Sequence, residues 1–165
     1  MTGVAIRSET PDLYGAIRAV LLQAFPSPVE ADLVERLRAD SDIEIGLAAI
    51  DGQDVIGHLV FSPMSAPVKA LGLGPVAVAA DRQGQGIGSL LISRGLERAR
   101  AAGWEAVFVL GEPEYYARFG FSTATASGFS SPYAGPYFMA LSLSGRILTV
   151  STGRVDYAAA FQAIE

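Results

Sequence analysis

The sequence predicts a single mixed α/β domain. Residues 71–110 follow the order strand, glycine-rich loop, amphipathic helix and strand, which is typical of two parallel strands joined by a right-handed crossover. Upstream, residues 44–50 and 55–61 are two apolar segments on either side of a turn at residues 51–54, and they predict a β-hairpin. The chain has 165 residues, of which 50% are hydrophobic, so one core is sufficient. We therefore assign residues 1–165 to one domain.

The N-terminal elements are predicted from alternation and from helix-start signals. Residues 4–8 alternate and predict a strand. Thr10 followed by Pro11 predicts the start of a first helix, with Thr10 as its cap. Ser27 and Glu30 have the spacing of a capping box and predict the start of a second helix.

The strand predicted at residues 71–80 contains Gly74 and Pro75. Proline cannot donate a hydrogen bond to a neighbouring strand, so it conflicts with a central position in a sheet. A β-bulge, or a point at which two strands separate, removes the conflict. We therefore expect an irregularity in this strand.

The C-terminal part contains fewer regular elements. The pattern predicts a buried parallel strand at 104–110, a short helix at 114–119 that Gly120 ends, a long loop at 122–137 and a late strand at 138–143. We assign residues 4–143 to the core of the domain and residues 144–165 to a C-terminal extension.

Composition excludes several classes of function. The net charge is −5 and the 12 Lys and Arg residues are scattered, which argues against nucleic acid as a partner. Without cysteine there is no disulfide, thiolate ligand or Cys nucleophile, and with one histidine no metal site is predicted. No signal-peptide core and no apolar run of about 18–20 residues occurs, so we expect a soluble, cytoplasmic protein without a membrane partner.

Three glycines alternate between the predicted strand and helix, at Gly84, Gly86 and Gly88. Such glycines allow backbone N–H groups to turn toward an anion, and the helix N-terminus adds the positive end of its dipole. A pyrophosphate is the expected ligand. A P-loop would require Lys after its last glycine, whereas Gly88 is followed by Ser89 and Leu90.

A dinucleotide-binding fold is another alternative for the glycine-rich loop. Its G-x-G-x-x-G fingerprint would require a glycine where this chain has Ser89. Glu112 could act as the ribose-binding acid, but the chain lacks the further strand–helix repeats of that fold.

Two motifs resemble those of the GNAT acetyltransferases. The loop Gln83-Gly84-Gln85-Gly86-Ile87-Gly88 is similar to the family pattern of Gln or Arg, two residues, Gly, one residue, and Gly or Ala. The segment Glu114-Tyr115-Tyr116-Ala117-Arg118-Phe119-Gly120-Phe121 resembles the family's late helix and following strand. The resemblance is specific over residues 71–121. One departure is Ala80, where relatives often have Pro.

The resemblance implies a mixed, largely antiparallel central sheet of about six to seven strands with flanking helices, in which strands four and five splay apart. It also implies acetyl-CoA as cosubstrate, with its pantetheine arm in the gap between the splayed strands. The expected contacts are the backbone of Val76, Ala77 and Val78 for pantetheine, and Gln83, Gly84, Gln85, Gly86, Ile87, Gly88 and Ser89 for the pyrophosphate.

By the same resemblance, an acetyl group passes from acetyl-CoA to a primary amine by direct attack in a ternary complex. Tyr116 stands at the family's tyrosine position and is expected to protonate the leaving thiolate, while an amide near Val78 stabilises the oxyanion. The amine must lose a proton before it attacks, since an alkyl ammonium has a pKa of ~10.4. The chain therefore needs a base.

Glu112, directly after the second crossover strand, is the predicted base, although stabilising a helix N-terminus is its structural alternative. Glu30 and His58 are further candidates, with the capping box and the interior of a strand as their alternatives. The acceptor, a small-molecule or protein amine, is expected to contact residues 25–30 and 122–137, which carry no recognisable code. A non-catalytic acyl-CoA sensor is the alternative function. The sequence is also compatible with a homodimer.

Overall fold

The computed structural model describes residues 3–163. The strands are β1 (Val4–Ser8), β2 (Ile45–Asp51), β3 (Asp54–Pro63), β4 (Ala70–Val78), β5 (Ala106–Leu110), β6 (Phe129–Ser130), β7 (Phe138–Ser142) and β8 (Gly153–Arg154). The α-helices are α1 (Tyr14–Ala24), α2 (Val29–Ala39), α3 (Ile87–Ala101), α4 (Pro113–Ala117), α5 (Thr123–Ala126) and α6 (Ala159–Gln162).

Six of these strands form one sheet in the order β1-β2-β3-β4-β5-β7. Only β4 and β5 are parallel to each other, and α3 connects them. The short strands β6 and β8 form a separate parallel pair. The predicted mixed, largely antiparallel sheet is therefore confirmed. Residues 3–163 do not form the doubly wound parallel sheet that the dinucleotide-binding alternative requires.

Helices cover both faces of the sheet. Because side chains alternate along a strand, Leu47 and Leu59 pack in the core cluster that contains α3, whereas Ala48 and Val60 pack in the cluster that contains α1 and α2. The predicted apolar side of α3 is buried in this way. A third cluster lies around Phe108 of β5 and includes residues of the C-terminal extension.

The capping box predicted at the start of α2 is wrong. Pro28 occupies the N-cap position and no side chain caps the helix, so Glu30 lies one residue too early to be the third residue of a box. The Ser27 hydroxyl instead accepts a hydrogen bond from the N–H of Val29 at 3.3 Å. Glu30 is therefore not engaged in a capping box.

The predicted cap of the first helix also differs. Thr10 precedes a 3-10 turn, Pro11–Leu13, that leads into α1, and its hydroxyl donates to the carboxylate of Asp12 rather than accepting from a backbone N–H. The start of the helical segment at Pro11 is confirmed.

The segment predicted as a long loop, 122–137, contains α5 and β6. The Ser122 hydroxyl caps α5 by accepting from the N–H of Thr125 at 3.1 Å. Strand β6 pairs with β8, so the segment 122–137 is hydrogen-bonded to the C-terminal extension. Val155, Tyr157 and other residues of the extension are buried in the same core as the sheet. The extension therefore packs as part of the domain.

Candidate functional site

The sheet opens between β4 and β5. Their pairing runs from Ala70 opposite Ala106 to Leu73 opposite Val109 and ends there, whereas β4 continues beside β3 as far as Val78. Residues 74–78 therefore have a strand neighbour on one side only, among the residues that the structure describes. Their backbone groups on the open side are available to a ligand. The splayed strands that the sequence predicted are confirmed.

The opening coincides with Gly74 and Pro75. Gly74 has a φ of +142°, and Pro75 has no N–H to donate, so neither residue continues a regular ladder. The register between β3 and β4 shifts nearby, between Leu59 and Phe61. The predicted irregularity is thus a register shift on one side of β4 and a strand separation on the other.

The glycine loop follows directly after the open part of β4. Gly84 and Gly86 have φ values of +80° and +83°, and a Cβ at either position would meet nothing within 4 Å. Glycine is therefore required there for its backbone conformation rather than for space. Gly86 is the N-cap of α3 and no side chain of the described residues caps this helix, so its first-turn N–H groups are available to bind an anion.

Side chains of the loop attach it to the fold on both sides. The Gln83 side-chain amide donates to the carbonyl oxygen of Val78 at 3.2 Å, and the buried Ile87 side chain packs in the core beneath α3. Gln85 is exposed between them. The structure thus places the predicted cofactor residues, from Val76 to Ser89, along one continuous path.

Ser89, in the first turn of α3, is half-buried. Its hydroxyl lies 3.2 Å from the hydroxyl of Tyr115, and a Cβ on Gly88 would lie 3.3 Å from the same oxygen. Helix α4 thus brings its Tyr115 side chain against the first turn of α3. Tyr115 is therefore part of the loop's surroundings.

Tyr116 points to the other side, toward the strand gap. Its ring covers Gly111, the residue directly after β5, where a Cβ would lie 2.5 Å from the ring carbon Cε2. Burial, with a smaller effect of Tyr115, raises the pKa of Tyr116 to about 12. The hydroxyl is therefore protonated at neutral pH and can donate a hydrogen bond.

A cavity of about 340 Å³ lies beside the open part of β4. Leu73, Gly74, Pro75 and Val76 line it on the strand side, and Tyr116 also lines it. Larger depressions, of about 570, 600 and 360 Å³, lie near α5, near Glu9 and beside Phe138, and the residues that line them do not border the gap. Strand β4 connects the cavity at the gap to the glycine loop.

The far side of this cavity contains Glu30 and aromatic side chains. Phe25, Glu30 and Tyr133 belong to the two segments predicted to meet the acceptor. Tyr157 and Phe161, from the C-terminal extension, were missed by the sequence analysis. Their spacing of four residues, typical of one helix face, was the available signal, but α6 covers only residues 159–162.

The other two base candidates lie elsewhere. Glu112 is exposed at the N-cap of α4 and does not line the cavity, and its carbonyl accepts from the N–H of Tyr116 at 3.1 Å. His58 is fully buried, with Nε2 2.8 Å from Oε1 of Glu9, and Arg38 binds the same carboxylate. That histidine therefore belongs to a hydrogen-bonded structural cluster with Glu9 and Arg38.

Residues 3–163 contain neither a metal-ion cluster nor a membrane-spanning helix. No three His, Asp or Glu side chains are grouped so that they could hold a metal ion. No helix in that range is long and apolar enough to cross a membrane.

A sequence profile of the acetyltransferase (GNAT) family matches residues 14–121 of this chain. The match covers more than half of the chain and contains the open strand, the glycine loop and Tyr116. The chain belongs to the GNAT acetyltransferase family.

Relatives and solved structures agree with this assignment. YhbS of Escherichia coli K12, an uncharacterized N-acetyltransferase, is 36% identical over 158 residues, which cover 92% of this chain and 95% of YhbS. The structure of E. coli YhbS in complex with CoA aligns with a TM-score of 0.90 at 34% identity and covers 96% of this chain and 92% of that chain. A GNAT acetyltransferase from Brucella melitensis in complex with acetyl-CoA aligns with a TM-score of 0.80 at 34% identity, covering 96% and 97%.

Proposed function

We propose that this protein is an N-acetyltransferase that moves the acetyl group of acetyl-CoA to a primary amine within a ternary complex. The observation that carries the proposal is the arrangement of β4. Its open edge leads from the free amides at the start of α3 to a cavity lined by Tyr116 and Glu30. Solved relatives with CoA or acetyl-CoA bound support the same donor for this chain.

The residues fit an acyl-CoA along this path. The amides of residues 84–89 would hold the pyrophosphate, because Gly84 and Gly86 leave open space above a helix N-terminus. The open backbone of Val76 to Val78 would pair with the pantetheine amides. An N–H near Val78 would stabilise the oxyanion that forms as the amine attacks the thioester carbon.

Acetyl transfer to an amine requires one base to deprotonate the ammonium and one acid to protonate the leaving thiolate. A base removes one proton from the ammonium, the neutral amine forms the C–N bond, and the C–S bond breaks. The nitrogen then loses its second proton and the thiolate gains one, so the products are an amide, free CoA thiol and one released proton. We assign Tyr116 as the group that donates to the thiolate, because its hydroxyl is protonated and lines the cavity.

For the base, Glu30 is better placed than Glu112, since only Glu30 lines the cavity. The assignment of Glu112 stays a prediction, and Glu112→Gln tests it beside Glu30→Gln. We expect Glu30→Gln to lower kcat by about a hundredfold and to shift the pH–rate profile, and Glu112→Gln to change neither. The opposite order would assign the base to Glu112.

The test of the function is CoA thiol release from acetyl-CoA over a panel of primary amines. Release that depends on an amine, with the acetylated amine identified by mass spectrometry, supports an enzyme. Tight acetyl-CoA binding with no release for any amine would instead assign the chain as a non-catalytic acyl-CoA sensor.

A further inference from the structure

We infer that the acceptor is a small primary amine carried on an aromatic or alkyl body, held between Glu30 and an aromatic wall that the C-terminal segment supplies. The inference rests on the proposed acetyl transfer, because it names the substrate class of the same site. It is based on Glu30 and the aromatic side chains on the side of the cavity opposite β4.

The aromatic wall is built into the fold. The Tyr157 ring packs edge to face on Tyr133 at 5.5 Å between centroids, and Phe161 lies 5.1 Å from Tyr157. A Cβ on Gly72 of β4 would lie 2.6 Å from the Tyr157 ring, so glycine at that position provides the room for it. Strand β4 therefore positions the acceptor wall as well as the donor path.

Backbone hydrogen bonds hold the segment that carries Tyr157. Ser65 and Asp156 exchange two of them, each 2.9 Å long, in an isolated antiparallel bridge. The wall therefore has a defined position beside the gap, and its rings can select an acceptor by shape.

The charge in the cavity has one sign. Within residues 3–163, Glu30 is the only carboxylate in the lining, and no Lys, Arg or His lines it. Oε1 of Glu30 and the hydroxyl of Tyr157 are both buried without a hydrogen-bond partner among the described residues. Buried oxygens of this kind are costly unless a ligand donates to them. A primary ammonium has three N–H donors and the neutral amine has two, so either form has a donor for each of these oxygens.

The rest of the lining excludes competing acceptors. An amino acid would bring a carboxylate for which the cavity has no cationic partner. A polyamine would bring a second ammonium to a cavity with one carboxylate. An aromatic or alkyl body, by contrast, gains from burial against Phe25, Tyr133 and Phe161, and their rings attract the ammonium itself.

Binding of phenylethylamine to the CoA-saturated protein, measured by titration calorimetry, tests the inference without turnover. We expect saturable binding, and at least about tenfold weaker binding for phenylethanol, spermidine and a lysine-containing peptide, because each lacks the ammonium or the single apolar body. Tighter binding of spermidine or of the peptide would overturn the inference.

Substitutions in the cavity lining test whether phenylethylamine binds there. Glu30→Gln and Phe161→Ala should each weaken phenylethylamine by at least about tenfold while leaving the Kd for CoA unchanged. Glu97→Gln on the exposed side of α3 is the matched control and should change neither. Undiminished phenylethylamine binding to folded Glu30→Gln would overturn the inference.

Turnover separates the two proposals. Phenylethylamine that binds, with no CoA thiol release for any amine of the panel, would support recognition of such amines by the cavity and refute acetyl transfer. Acetylation of spermidine or the peptide, with no phenylethylamine binding, would leave acetyl transfer standing and refute the inference.

Discussion

Tyr115 and Tyr116 are neighbours whose rings meet edge to face with centroids 5.1 Å apart, and they face different halves of the site. The Tyr115 hydroxyl lies 3.2 Å from the Ser89 hydroxyl at the start of α3. Tyr116 lines the cavity beside the strand gap. Substitution of each tyrosine should therefore affect a different step.

Tyr116→Phe should lower kcat by about a hundredfold or more with little change in acetyl-CoA affinity, because only the proton donor is lost. Tyr115→Phe should instead weaken acetyl-CoA binding severalfold and leave kcat nearly unchanged, since the hydroxyl at Ser89 supports the loop. Steady-state kinetics with a chemistry-limited amine, together with acetyl-CoA titration, measure both. Unchanged turnover in Tyr116→Phe would refute its role as the acid.

Gly111→Ala should impair turnover through Tyr116. A Cβ at Gly111 would lie 2.5 Å from the Tyr116 ring and must displace it. We expect kcat to fall as in Tyr116→Phe, and the double variant to be no slower than the slower single one, because both changes remove the same group. Additive losses in this double-mutant cycle would show that Gly111 acts by another route.

Gly86→Ala should weaken acetyl-CoA binding and lower the free energy of unfolding by about 1 kcal/mol, since an L-residue is strained at its positive φ. Gly103→Ala, at the other end of α3, is a matched control because Gly103 also has a positive φ and open space around its Cβ position. Urea unfolding should show a similar cost for both variants. Equal acetyl-CoA affinity in the two would contradict the anion site.

Glu9→Gln should lower the free energy of unfolding by about 2 kcal/mol at neutral pH, less than for a fully buried pair because the Arg38 side chain is 18% exposed. Burial opposes the charge of Glu9, but hydrogen bonds from His58 and Arg38 outweigh it and lower the pKa of this carboxyl. A lowered folded-state pKa gives stability above the ordinary Glu value of ~4.3 that is lost as the pH falls through the folded value.

Urea midpoints measured from neutral pH to about pH 3 should therefore show the gap between wild type and Glu9→Gln closing in acid. Asp40→Asn, which breaks an exposed pair with Arg36 on α2, is the control and should cost less than about 0.5 kcal/mol. A gap that stays constant with pH would mean that the cluster does not depend on the Glu9 charge.

The donor half of the site could be predicted from the sequence because its chemistry is local. Three alternating glycines, Pro75 in a strand and a tyrosine before Gly120 each have a backbone or chemical meaning within a few residues. The acceptor half depends on long-range contacts. Two-residue strands such as β6 and β8 have no detectable period, and the bridge between Ser65 and Asp156 joins distant parts of the chain.

The error at the start of α2 has a similar cause. The spacing of Ser27 and Glu30 matches a capping box, but Pro28 shifts the helix start by one residue. That shift changes Glu30 from a presumed cap into a residue of the cavity. A local pattern therefore concealed a side chain whose surroundings are set by β4 and the C-terminal segment.

Tyr157 and Phe161 close the cavity from the C-terminal extension, so the donor side and the acceptor side of the site come from different segments of the chain. Under the proposed function, recognition of the coenzyme falls to residues 70–121, whereas the choice of amine falls to residues 25–30 and 133–161. The two sets meet at Gly72 of β4, where a side chain would collide with the Tyr157 ring. A substitution that alters the choice of amine is therefore constrained where the acceptor wall touches the donor strand.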